Sequence, residues 1–220
     1  MKFLFKCLFV FFFAIQHFFS QENSLVKIGR LKYNGGGDWY NDPSCEVNLL
    51  NFVKVNTLIN VEAKYQFVEA SSDKIFSYPI LFMTGHGNVK FSDFEIEKLR
   101  TYLTNGGFLY VDDDYGMDKS FREEIKKIFP ENQLVEIPYS YGLFHCHFDF
   151  KNGVPKTHEH DEKNPQTFGI LHNGRLVVLY TYETNPSDGW ADTEIHNDTK
   201  EIREEALKFG TNIIVWVLTN

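Results

Sequence analysis

The sequence predicts an α/β fold: three layers, with a mostly parallel sheet carrying helices on both faces, plus an antiparallel hairpin. Three observations predict it. Strand-like runs alternate with segments of helical periodicity through the first two-thirds of the chain, the order that builds a parallel sheet. Residues 79–84 and 108–111 are continuously apolar, as in strands covered on both faces. Asn173-Gly174, a strong turn signal, separates two later strand-like runs. The 220 residues, 43% hydrophobic and 16% aromatic, are ample for one core, so a single domain over residues 21–220 is expected.

Residues 25–33, LVKIGRLKY, read as the first strand. Asn34-Gly35-Gly36-Gly37-Asp38-Trp39-Tyr40 follows, and its glycines allow another group to approach the backbone closely. Their spacing matches neither G-x-G-x-x-G nor G-x-x-x-x-G-K, so it does not license a nucleotide. Asp42 as cap and Pro43 at the first helical position start a helix that buries Leu49, Phe52 and Val53. Residues 65–68 form a short second strand, and 79–84 a central third ending in Gly85-His86-Gly87. Ser92-Asp93-Phe94-Glu95 is a capping box, with Ile96, Leu99 and Leu103 following at helical spacing.

Asn105-Gly106-Gly107 stops that helix and feeds the strand at 108–111, which runs into Asp112, Asp113 and Asp114. Ser120-Phe121-Arg122-Glu123 reads as another capping box, opening a helix that Pro130 ends. Residues 134–137 form a fifth strand. Residues 138–167 show no period, an uncommon length of irregular chain that is often functional. They hold His145, His147, His158 and His160. The hairpin strands cover 168–171 and 175–182. A loop with Asp188-Gly189-Trp190 and His196 follows, and Asp198-x-x-Glu201 opens the last helix.

The first twenty residues stand apart. Lys2 and Lys6, an apolar run to Ile15 and a small residue at Ser20 fit a secretory signal, which predicts export to the periplasm or the medium. The run falls short of the roughly 20 apolar residues that span a bilayer. Phe18 suits a cleavage site poorly, so an uncleaved membrane anchor is the alternative. Removing residues 1–20 takes the formal charge from −8 to −10, because two lysines and no acids are lost. An acidic chain without a basic stripe argues against nucleic acid and anionic membrane surfaces as partners. A small molecule or an envelope protein is the partner class left. Cys45 and Cys146 could form one disulfide after export, or stay as two buried thiols.

Right-handed crossovers put the C-terminal ends of parallel strands on one edge, where ligands bind in open sheets. Residues 35–39, 85–87 and 112–114 should meet there. Three adjacent carboxylates need water, donors or a cation. Asp112, Asp113 and Asp114 are therefore candidates for a divalent metal ion or a general base, against the bland reading that they cap the next turn. His86, between two glycines, is a candidate acid, base or ligand, against a histidine bonded to a loop carbonyl. Gly36, Gly37, Asp38, Trp39, Gly85, Gly87, Glu183 and Trp190 are ligand-binding candidates, with the amides around Gly85 and Gly87 able to form an anion pocket. For the tryptophans the default is core packing. His145, His158 and His160 offer metal-ligand chemistry without a known zinc spacing, against a hydrogen-bonded loop lock.

The combination RLKYNGGGDWY, FMTGHGNVKFSDFEIEKLRTYLTNGGFLYVDDDYGMD, VPKTHEHD and YTYETNPSDGW resembles the bacterial domain-of-unknown-function family 4159. The resemblance implies a flavodoxin-like, class I glutamine amidotransferase-like fold and brings no established activity. Amidotransfer needs a cysteine nucleophile on a tight strand-to-helix turn with a histidine base, and neither Cys45 nor Cys146 sits in a Gly-x-Cys-x-Gly elbow, so that activity is rejected. The two readings left are a ligand- or partner-binding domain and a hydrolase, with or without a metal, working through the aspartates, His86 and a loop histidine.

Overall fold

The computed structural model describes residues 25–220 apart from Glu159. The expected signal or anchor lies outside the described residues, among which no helix is long and apolar enough to cross a membrane. Seven strands form one sheet: β1 (Ile28–Lys32), β2 (Phe67–Glu69), β3 (Ile80–His86), β4 (Phe108–Tyr115), β5 (Val135–Glu136), β6 (Gln166–His172) and β7 (Arg175–Tyr182). Their order is β2-β1-β3-β4-β7-β6-β5. All pairings are parallel except those of β6, which runs against both neighbours. The fold is therefore the expected three-layer α/β sheet with an antiparallel hairpin. From β1 the chain steps outward to β2 and then back past β1 to β3, so the topological switch point lies between β1 and β3.

Two cores flank the sheet. On one face, α2 (Asp93–Thr104) and α3 (Asp118–Ile128) bury Leu99, Leu103, Phe121 and Ile125 against Leu109 and Val111. On the other, α1 (Cys45–Asn56) and α5 (Lys200–Thr219), which follows the single-turn α4 (Thr193–His196), bury Leu49, Val53, Phe209 and Ile213 against Phe82, Phe108 and Tyr110. The long irregular segment packs on this second face through Leu143, Phe144 and Phe150. Asn212, buried in α5, satisfies its backbone by donating to the carbonyls of Leu143 and Phe148 and accepting from the Phe148 amide.

The Ser92 capping box forms with both reciprocal bonds, and the hairpin turns at Asn173-Gly174. Other boundaries move. β4 does not end at Val111; it continues through all three aspartates to Tyr115, because β3 and β7 pair with it as far as Tyr115 and Asp112 respectively. α3 starts at Asp118, so Ser120 lies inside it and bonds Met117 O and Val89 N–H instead of capping. α1 starts at Cys45, not beside Asp42, whose left-handed φ of 43° takes it out of the capping geometry. Thr199, not Asp198, caps α5. Cys45 and Cys146 are both free thiols, so the disulfide does not form.

Candidate functional site at the C-terminal edge

Strand alternation divides the three aspartates between the faces. Asp112 and Asp114 share the side of Phe108 and Tyr110; Asp113 shares the side of Leu109 and Val111. Asp112 is fully buried and accepts from Thr181 Oγ1 at 2.6 Å and from the Ser187 amide at 2.7 Å. Burial pushes its pKa up to about 8 against the pull of those bonds. Asp113 accepts from the Met117 amide at 2.9 Å and from Tyr180 at 3.2 Å, so it closes the turn before α3. Burial raises its pKa too. Asp114 is held by two amides, Asn41 Nδ2 at 2.5 Å and Asn185 Nδ2 at 2.8 Å. Burial, then the charge of Asp188, lift its pKa to about 7, while His86 opposes them.

His86 and Asp38 complete this end. Gly85, with φ of 138°, is required here: a Cβ would lie 2.4 Å from the Tyr33 hydroxyl and 3.0 Å from Asp38 Oδ1. With that space free, Asp38 accepts from the His86 amide at 2.5 Å, and its other oxygen lies 3.1 Å from His86 Nδ1. The same nitrogen is 3.3 Å from Asp114 Oδ2. Burial alone would lower the His86 pKa; Asp114 and Asp38 outweigh it, and the net direction is up. The anion pocket does not form, because the His86 amide is spent on Asp38 and the Gly87 amide on Tyr115 O at 3.1 Å.

Arg30, which the sequence does not single out, fixes the loop that carries Asp38. It is fully buried in β1 and pairs both ways with Glu46 of α1, at 2.6 and 2.8 Å. Its remaining nitrogen donates to the carbonyls of Trp39 and Asn41. An internal cation in an otherwise ordinary first strand is the only sequence signal for it.

The third side is built by loops after β7 and from the long irregular segment. The Thr157 and His158 amides both donate to Thr184 O, which brings His158 to the edge. His158 Nδ1 lies 2.6 Å from Asp188 Oδ2, and its Nε2 lies 3.0 Å from Asp198. These partners, Asp188 foremost, push its pKa up to about 9. His196 Nε2 lies 2.9 Å from Asp42 and 3.8 Å from Asp188. Asn185 links the parts, reaching Asp188 at 3.2 Å, Asp114 at 2.8 Å and His160 at 2.7 Å. Four non-glycine residues here, Asp42, Glu183, Asn185 and Asn197, hold positive φ, the conformation that Asn and Asp tolerate best.

The sequence model of a family described as Domain of unknown function (DUF4159) matches residues 27–218. The chain belongs to this family. No curated protein matches the sequence.

In this DUF4159 domain the remaining candidates scatter. Trp190 is a core residue, 1% exposed, with its indole N–H on Ala206 O. Trp39 packs on Phe67 toward the β2 side, although its carbonyl serves Arg30. Gly36 and Gly37 lie in the loop that carries Asp38, and the Gly37 amide donates to Asn88 O. Glu183 accepts from the Asp161 amide at 3.1 Å. His145 is away from the edge, locking its own loop through Asp149 at 2.5 Å and Tyr139 O at 2.8 Å. His160 stacks on Tyr115, ring centres 5.0 Å apart. A cleft of about 330 Å³ opens between Tyr115, Lys119, His160, Tyr182 and Glu183. Asp113 and Tyr115, the latter the sheet partner of His86, line its near side, and Asp114 and His86 lie outside it. Sequence reasoning missed Asn41, Asn185, Asp188 and Asp198 as site members. Only their clustering near Gly, Pro and other Asx residues could have marked them.

Proposed function

We propose that this domain binds a small polar ligand at the C-terminal edge of its sheet, with His86 and Asp114 exchanging a proton with it. One observation carries the reading: an imidazole, 55% exposed, has a single nitrogen within 3.3 Å of two carboxylates, one of them buried. Such a pair can present either a donor or an acceptor to a ligand near neutral pH. The adjoining cleft, with Tyr115 and Tyr182 as ring surfaces, Lys119 as a cation and Asp113, Asp118, Asp161 and Glu183 as carboxylates, has the size of a small-molecule site. Residues 1–20 support an exported setting.

A second reading, hydrolysis, is favoured by the Asp38–His86 contact, since a carboxylate that orients an exposed imidazole is the arrangement of a general base activating water. Amidotransfer is not proposed: burial pushes the Cys146 thiol up to about 11 and raises Cys45 well above the ordinary thiol range, so neither offers a thiolate.

A thermal-shift screen of small polar metabolites on the full chain tests the binding reading. A ligand that stabilises the wild type should bind at least ~10-fold more weakly to His86→Gln and Asp114→Asn, about 1.4 kcal/mol or more. A flat screen, or hits indifferent to both substitutions, overturns it. Incubating the hits with enzyme and scoring products separates hydrolase from binder.

A further inference from the structure

We propose that His158, Asp188 and His196, with Asp42 completing the set, bind one divalent transition-metal ion of the zinc class. The site rests on its own residues and not on the ligand reading above, so either can fail alone. One ligand atom from each of His158, Asp188 and His196 lies within 4.8 Å of the others. A tetrahedral zinc ion with bonds of about 2.0–2.1 Å sets its ligand atoms ~3.3 Å apart. The closest approaches here are 2.6 Å for His158 Nδ1 to Asp188, 2.9 Å for His196 Nε2 to Asp42, and 3.8 Å for His196 Nε2 to Asp188. The two Asp188 contacts use different carboxylate oxygens, and the atoms of His158, Asp188 and His196 span up to 4.8 Å, so side-chain adjustments of about 1–2 Å, with Asp42 following His196, would draw them into a coordination shell.

The surroundings match what a metal site needs. Metal-bound imidazoles characteristically donate their second nitrogen to a carboxylate. His158 does this through Nε2 to Asp198, at 3.0 Å, and Asp198 is 7% exposed with its other oxygen unpartnered among the described residues. Asn185 Nδ2 plays the same part for Asp188, at 3.2 Å. Asp42, Asp188 and Asp198 have no lysine or arginine partner among the described residues, so their charge is answered only by imidazole and amide groups. Two imidazoles and two carboxylates favour zinc, cobalt or nickel over magnesium or calcium, which want oxygen alone. The ligands come from three connections, the one after β1, the one before β6 and the one between β7 and α5, where His196 ends a short helical turn, so a bound ion would tie them together.

Chelator-stripped full-length protein is titrated with Zn²⁺, and separately with Mg²⁺, by calorimetry, with thermal melts alongside. One equivalent of Zn²⁺ should bind and raise the melting temperature, while Mg²⁺ should do neither. Asp188→Asn and His196→Gln should abolish stoichiometric binding. Asp198→Asn, which acts through His158, should weaken it roughly 10–100-fold. His145→Gln, in a separate loop, should leave the affinity unchanged. His196 is partly exposed, so its variant tests the site even if Asp188→Asn does not fold. No stoichiometric Zn²⁺ binding by folded wild type, or binding unaltered in His196→Gln, overturns the assignment and leaves the cluster as a hydrogen-bonded lock.

Discussion

Two of the buried carboxylate positions packed against this sheet are neutralised in opposite ways. Glu46 meets the guanidinium of Arg30 through two parallel bonds, with the remaining guanidinium hydrogens on loop carbonyls. Charge meets charge there in one bidentate pair, and against the effect of burial the attraction of Glu46 holds the Arg30 guanidinium above its ordinary value. Asp112 and Asp114 meet a hydroxyl, backbone and side-chain amides and one half-exposed imidazole. Their charge is solvated by dipoles without being cancelled, so burial moves their pKa values up to about 8 and about 7. The first arrangement holds a loop in place. The second leaves protons able to come and go, which a scaffold does not need and a site does.

The largest expected effect tests the scaffold half. Arg30→Met leaves Glu46 buried without a counter-charge and frees the Trp39 and Asn41 carbonyls. Breaking such a pair costs about 3–5 kcal/mol, so the melting temperature should fall on the order of 10 °C. The double variant Arg30→Met/Glu46→Leu should recover most of that loss. A single variant as stable as the wild type would erase the contrast.

Asn185→Gly comes next. It keeps a residue that accepts the left-handed φ of 48° while removing the amide from Asp114 and Asp188. Chemical denaturation should show a loss of ~1–3 kcal/mol, the cost of a buried acceptor left unpaired. No loss would mean that Asp114 does not depend on its amide partners.

A further effect concerns protons. The Asp112 carboxyl rises from about 4 in the unfolded chain to about 8 in the folded one. The folded state therefore holds a proton that the unfolded state has released between those values. Its stability contribution is intact below pH ~4 and is lost as pH climbs toward 8. Melts should show the wild type weakening across that window, and Asp112→Asn should flatten the slope. An unchanged slope would place the titration elsewhere.

What could be read beforehand follows the range of the interactions involved. The Ser92–Glu95 cap and the Asn173-Gly174 hairpin are made within a few residues, and both form as their spacing predicts. The meeting of Asp38, His86 and Asp114 was legible from topology, because parallel strands must end on one side. Asp42 and Asp198 read as helix caps, yet each turns away to a histidine far along the chain, 154 residues off for Asp42 and 40 for Asp198. Local capping chemistry was outbid there by tertiary partners. Ser120 misleads in a related way, since Asp113 closes the turn and lets α3 begin earlier. Arg30 was illegible because a cation in a strand reads as a solvated one, as its neighbour Lys32 is.

The extension of β4 through Tyr115 has a consequence for how this protein can change. Three identical letters in a row are three separate parts. The first is locked under the β7 turn, the second fastens the start of a helix, and the third meets the imidazole. Losing or gaining one residue upstream in the strand would slide each acid into its neighbour's berth and turn it to the opposite side of the sheet. The run should therefore tolerate point replacements one at a time while rejecting any shift in frame by a single position.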